Sequence, residues 1–195
     1  VQRWREQVGA EFILFIGVLR YYKGLFTLLE AARGLQVPIV IAGDGPLRKA
    51  LHQCAQSYRL SHVHFTGAVN EIDKVALLQL SRAVVLPSHL RSEAFGISLV
   101  EGLAFGKPLI STEIGTGTSY VNQDNVTGLV VPGNDPNRLK MAMNTLYHDE
   151  MLAKQMGRAG LARYEENFSA SLMGQRYAEL YKTLANKASK NSKDQ

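Results

Sequence analysis

The chain has 195 residues, 46% hydrophobic and 20% charged, which is ordinary globular material with enough apolar side chains for a sizeable core. Net charge is +5, but Lys187, Lys190 and Lys193 fall in a polar Ser/Asn tail, expected to be frayed and solvated. Elsewhere Arg and Lys form no basic stripe interleaved with aromatics, which argues against nucleic acid and leaves at most a weak attraction to an anionic membrane surface.

Cys54 is the single cysteine, so no internal disulfide can form and a reducing compartment is expected. No signal-peptide pattern is visible, and no apolar run reaches the ~20 residues of a membrane span. His62 and His64 alternate along an expected strand, but no third metal ligand is near them.

In chain order, residues 1–11 are polar, broken by Gly9, and read as a connector. Residues 12–16 are a continuous apolar run bounded by Gly17, the pattern of a strand buried on both faces. A helix over 24–33 carries Leu25, Leu28, Leu29 and Ala32 at helical spacing. A second buried strand at 37–42 ends in Gly43-Asp44-Gly45-Pro46, and Pro46 suits the first turn of a helix over 47–58. The rhythm repeats: a strand at 63–66, a helix from 70 to 80 with Asn70 as its cap, and a strand at 83–86. A central helix over 96–105 is stopped by Gly106-Lys107-Pro108, and a fifth strand follows at 108–111. A sixth lies at 128–131, and helices over 135–147, 150–166 and 169–186 finish the chain. Strands alternating with helices predict right-handed crossovers and a doubly wound, six-stranded parallel α/β sheet of Rossmann-like type.

Ligands of such sheets bind outside the carboxyl ends of the strands. The loops there hold Gly17, Arg20, Lys23 and Gly24, then Gly43 and Gly45, then Gly67, then residues 88–96, then Gly115-Thr116-Gly117. Glycines let a ligand approach the backbone, and Arg20 and Lys23 can neutralise a diphosphate. Each has a plainer role open to it, as a turn residue or a solvated charge. A helix starting near Gly96 offers free backbone N–H groups and a positive dipole end suited to phosphate. Yet Glu93 precedes that helix and Glu101 lies inside it, at the edge of its apolar stripe. A buried-edge acid needs partners. A salt bridge is one reading of Glu101, and a hydrogen bond to the two hydroxyls of a ribose is the other. Gly17 does not open a G-x-G-x-x-G, which makes nicotinamide binding the weaker choice.

These residues together resemble the C-terminal, donor-binding domain of the retaining family 4 (group 1) glycosyltransferases, which have the two-domain GT-B fold. The matching pieces are Gly17-Val18-Leu19-Arg20-Tyr21-Tyr22-Lys23-Gly24, Ala42-Gly43-Asp44-Gly45-Pro46 and Phe65-Thr66-Gly67. They continue with Pro87-Ser88 to Gly96, the Glu93 and Glu101 pair, Gly106-Lys107-Pro108, and Gly128 to Asp135. The resemblance spans residues 12–181 and about half of a whole enzyme, whose N-terminal acceptor domain lies outside it. By that resemblance residues 1–11 would be an interdomain connector, 12–168 the donor-binding domain, and 169–195 a crossover helix and basic tail.

The resemblance implies that Lys23 and an Arg of the first loop hold the donor diphosphate, joined by the amides of Phe95, Gly96 and Ile97. Glu101 would bind ribose, and Glu93 would sit by the transferred sugar as the catalytic residue. Gly17, Gly43, Gly45, Gly67, Thr116 and Gly117 would border the donor, with the base read by backbone near Gly67 and Ala68. The reaction would be metal-independent, retaining transfer of a hexose from a nucleoside diphosphate sugar, with no cofactor. The wording of the loops resembles O-antigen and surface-polysaccharide mannosyltransferases that use GDP-mannose or a related donor. A lipid-linked or oligosaccharide acceptor would be held by the other domain, at the cytoplasmic face of the membrane. A non-catalytic nucleotide-sugar module and a GT-B epimerase are the alternatives.

Two departures stand out. The family usually has Arg directly after the first glycine, where this chain has Val18 and reaches Arg20 two residues later. The Gly-Gly-x-x-Glu usual after the fifth strand is here Gly115-Thr116-Gly117-Thr118-Ser119, without the Glu.

Overall fold

In the computed structural model, which describes residues 1–191, the apolar runs form six strands. They are β1 (Ile13–Ile16), β2 (Ile39–Ala42), β3 (Val63–Gly67), β4 (Ala83–Leu86), β5 (Leu109–Glu113) and β6 (Gly128–Pro132). Every adjacent pair is parallel, and the order is β3-β2-β1-β4-β5-β6. All residues of β1, β2 and β4 are buried, which is why their sequences lack alternation. The expected α/β class and doubly wound topology are therefore observed.

The helices are α1 (Gln2–Val8), α2 (Leu25–Ala32), α3 (Arg48–Ser57), α4 (Glu71–Leu80), α5 (Ile97–Ala104), α6 (Thr118–Val121), α7 (Pro136–His148), α8 (Glu150–Asn167) and α9 (Ala170–Asn191). On one face α2 packs against α3 and α7; on the other, α5 packs against α8. Gly157 of α8 lies against the turn after α5, where a Cβ would come within 2.1 Å of the Gly106 carbonyl oxygen. Asn70, Asp135 and Asp149 cap α4, α7 and α8 through their side chains, each accepting an amide three residues on. Lys107 donates from its ammonium to the carbonyls of Ser81 at 2.8 Å and Gln79 at 3.0 Å, tying the start of β5 to the end of α4.

Residues 1–11 are not a bare connector. They contain α1, whose Trp4 is buried and donates its indole N–H to Asp73 of α4 at 2.8 Å. No apolar periodicity announces this helix, since a single Trp anchors it. The irregular stretch after β5 holds the short helix α6, and the last helix runs to Asn191, past the expected end at residue 186. Tyr177, Leu180, Tyr181 and Leu184 of that helix are more than half exposed. The frayed-tail expectation falls in part, with Lys193, outside the described residues.

Sheet order places the topological switch point between β1 and β4, where the connections leave in opposite directions. The loops after these two strands, residues 17–24 and 87–96, meet there. Gly24 has φ +70°, and a Cβ on it would stand 1.8 Å from the Pro87 carbonyl oxygen. No L-residue fits without moving one of the loops. Gly24→Ala is expected to lower unfolding stability by about 3 kcal/mol, from left-handed strain and the clash together, as read by urea denaturation. A change under about 0.5 kcal/mol would mean that the two loops are not held together as described.

Candidate functional site

Residues 17–24 leave β1, turn through a 3-10 segment at Tyr21–Lys23, and aim Lys23 across the switch point. There the Lys23 ammonium forms an ion pair with Glu93, at 13% and 10% side-chain exposure. Charges so far from water persist only when well paired. Glu93 also accepts a hydrogen bond from the Ser88 hydroxyl at 3.2 Å, and the Thr112 hydroxyl of β5 donates to the Ser88 carbonyl. The His89 amide donates to the Tyr22 carbonyl at 2.9 Å. The His89 ring meets Tyr21 edge-on at 4.9 Å, and burial lowers its pKa, so near neutral pH it adds no charge to the site.

Glu93 and Lys23, expected separately at the sugar and the phosphate, are thus direct partners. Arg20 is exposed, and among the described residues it makes no ion pair. It projects from the same loop as Lys23, two positions from the place where the family usually has its Arg.

Gly96 adopts φ +83° as the residue preceding α5, where a Cβ would meet Leu99 at 2.9 Å and Leu86 at 3.1 Å. None of the hydrogen bonds among the described residues uses the amides of Phe95, Gly96, Ile97 or Ser98. Free amides at a helix start form an anion-binding end. Glu101, one turn inside α5, pairs with Lys74 of α4 at 2.7 Å. The salt bridge, one of the two readings of Glu101, is therefore present. Lys74 was not anticipated. Its signal in the sequence is a cation one turn ahead of the buried Leu77 and Leu78, placed to lean toward the next helix over the same edge.

The glycines divide into two groups. The amides of Gly17, Gly43 and Gly117 donate to Ala42, Gly67 and Ala94, and that of Gly45 to the Asp44 carboxylate. A Cβ on Gly43 would come within 1.9 Å of the Gly17 carbonyl oxygen, one on Gly45 within 2.7 Å of the Leu19 nitrogen, and one on Gly117 within 2.8 Å of Phe95. These three let neighbouring loops touch. Gly67 and Gly115 would meet nothing within 4 Å and leave backbone open.

The loop after β5 lacks the family's usual Glu, yet an acid organises it. Glu113 accepts from the Ser119 hydroxyl at 2.6 Å and the Gly115 amide at 2.8 Å, and these bonds, the Ser119 one foremost, lower its pKa. Ser119 stands where the family usually has Glu, and its hydroxyl is the group that Glu113 holds from the strand end. Thr116 contacts the Thr118 hydroxyl at 3.3 Å beside it. Among the described residues no group of three or more side chains is arranged to hold a metal ion.

The glycosyl transferases group 1 family matches residues 1–163. The chain belongs to this family. It is 53% identical over 184 residues to the O-antigen chain mannosyltransferase C of Escherichia coli, covering 94% of this chain and 50% of that protein. It is 55% identical over 170 residues to the D-rhamnosyltransferase WbpZ of Pseudomonas aeruginosa, covering 87% of this chain and 45% of that protein. The chain thus spans about half the length of these curated relatives. Among solved structures, the sucrose-phosphate synthase of Thermosynechococcus elongatus superposes with a TM-score of 0.84 at 25% identity, over 95% of this chain and 49% of that one. The six-stranded Rossmann-like half of a GT-B fold, expected from the sequence, is what this group 1 glycosyltransferase domain adopts.

Removing one member of the Lys23–Glu93 pair strands the other charge away from water. Lys23→Met and Glu93→Gln are each expected to destabilise the chain by about 3 kcal/mol, and the double variant by little more than either alone. Additive losses in a double-mutant cycle by denaturant titration would show that the two side chains do not depend on each other.

Proposed function

We propose that this chain is the donor-binding half of a retaining hexosyltransferase. It takes a mannose-type sugar from a nucleoside diphosphate, GDP favoured, and adds it to a growing bacterial surface glycan. The observation that carries this reading is the Lys23–Glu93 pair buried at the switch point, next to the unused amides that begin α5.

An ammonium has three donors. Lys23 keeps one on Glu93 and turns the others, with Arg20 and the amides of Gly96 and Ile97, toward the donor diphosphate. Negative charge builds on that leaving group as the glycosidic bond to it breaks, and fixed cations and dipoles stabilise it there without a metal. Glu93, tethered by Lys23 and Ser88, faces the transferred sugar, where it meets hydroxyls and the positive charge developing at the anomeric carbon. Glu101 accepts hydrogen bonds from the ribose. Gly67, which opens onto free space, lets the base lie against the backbone at the end of β3.

The two curated relatives, one named for mannose and the other for D-rhamnose transfer, favour a hexose of this kind and an O-antigen product. The acceptor, lipid-linked or oligosaccharide, belongs to the other half of the enzyme, working at the cytoplasmic face of the membrane. Among the described residues no helix is long and apolar enough to cross that membrane.

Calorimetric titration of the chain with GDP, UDP, ADP and their sugar conjugates tests the reading. GDP and GDP-mannose should bind, with UDP and ADP at least tenfold weaker. Binding of UDP alone would refute the donor base, and binding of none would refute the site. The chain by itself should transfer no sugar to acceptor glycans, and measurable transfer would contradict its assignment as a donor half.

A further inference from the structure

The role inferred for Lys74 rests on the proposed role of Glu101 as the ribose ligand. A glutamate on a helix surface has three rotatable bonds, so it must be oriented before it can accept from a ribose with useful geometry. The protein supplies an orienting group from a different helix. Lys74 of α4 places its ammonium 2.7 Å from Glu101 Oε1, and the same ammonium lies 2.8 Å from Glu71 Oε2. The two acids differ sharply in environment: the Glu71 side chain is 84% exposed, and the Glu101 side chain 28%. Lys74 is itself only 19% exposed. Water screens the contact with Glu71, so the half-buried contact with Glu101 is the one that fixes both side chains. Oε2 of Glu101 takes no hydrogen bond among the described residues, which leaves one oxygen of the partly exposed carboxylate free to accept.

We propose that Lys74 is a positioning residue for nucleotide recognition, holding the Glu101 carboxylate by one oxygen so that the other is presented to the ribose hydroxyls. It also solves an electrostatic problem. An unpaired carboxylate one turn behind a diphosphate site repels the ligand it is meant to hold; a carboxylate paired with an ammonium keeps its acceptor lone pairs and loses most of that repulsion. The Lys74 pKa is raised, chiefly by the Glu101 hydrogen bond and then by Glu71, so the ammonium stays charged throughout the physiological range. The opposite role is also chemically possible: a lysine that occupies Glu101 and must be displaced. The two differ in the sign of their effect.

The test compares the unmutated chain with Lys74→Met, titrating GDP and 2′,3′-dideoxy-GDP by calorimetry, with the UDP pair run in parallel. The unmutated chain should prefer the ribonucleotide by tenfold or more. Lys74→Met should lose about tenfold more affinity for the ribonucleotide than for the dideoxynucleotide, whose smaller loss reflects only the unpaired Glu101 charge, so that the preference collapses. Lys74→Arg should restore part of it. A preference that survives Lys74→Met overturns the inference and leaves the ribose role of Glu101 standing. Tighter ribonucleotide binding by Lys74→Met also overturns it, since Lys74 would then be a competitor. Equal losses for both nucleotides would mark general damage to the site and refute positioning as well. If the unmutated chain shows no ribose preference, the reading of Glu101 itself fails and this inference fails with it. If nothing binds, the donor site fails.

Discussion

The ion pair between Lys23 and Glu93 is the constraint on which the rest of this surface depends. Each partner is close to fully out of water, and a charge in that position costs several kcal/mol unless an opposite charge meets it with good geometry. The partners come from loops after β1 and β4, strands that are neighbours only because the sheet reverses its winding there. The pair can form only if these loops lie against each other, and several features bring that about. Gly24 has no side chain where Pro87 passes, the His89 amide donates to Tyr22, and Ser88 is fixed by Thr112 while it donates to Glu93. Changing any of these is a change to the charge pair, even though none of them carries charge.

The same close approach extends around the sheet edge. Gly43 lies against Gly17, Gly45 against Leu19, and Gly117 against Phe95, so the four loops form one connected floor. Backbone-to-backbone contact of this kind explains why glycines recur after strands in this chain, and it limits what can be inferred from them. A glycine is required wherever something passes close, whether a ligand or another loop, and the sequence does not distinguish the two. Contact geometry does, and among the glycines of these loops it leaves Gly67 and Gly115 as the positions where a Cβ would meet only open space.

Strands, their parallel pairing and the position of the switch point were legible because they depend on local pattern. Runs such as Phe12 to Ile16 and Ala83 to Leu86 are apolar throughout since both faces are covered, and the helices between them fix the winding. The residues gathered at the carboxyl edge were legible for the same topological reason. What could not be read were the partnerships among them. Helix α1 is held by Trp4 reaching Asp73, Glu101 is held by Lys74 from a helix 27 residues away, and Glu113 is held by Ser119 six positions later. Each depends on which side chain of a separate element faces inward at one level of the edge. Periodicity within an element carries no information about that.

These partnerships set the charge the site presents. Glu93 and Glu101, two acids beside a helix start suited to phosphate, are each matched by one lysine from a neighbouring element. His89 adds no charge near neutral pH, and these two acids and two lysines balance, with only the exposed Glu71 sharing Lys74 beside them. An anion approaching this surface is therefore met by the unused amides at the start of α5, by the exposed Arg20, and by the remaining N–H donors of ammonium groups already held in place. A free lysine would have to be ordered and partly desolvated each time a ligand bound, whereas one tethered to a carboxylate has met that cost during folding. Pairing each acid with a lysine makes the site weakly attractive at long range and well oriented at contact. That combination suits an anionic ligand that must be held in one orientation and then let go.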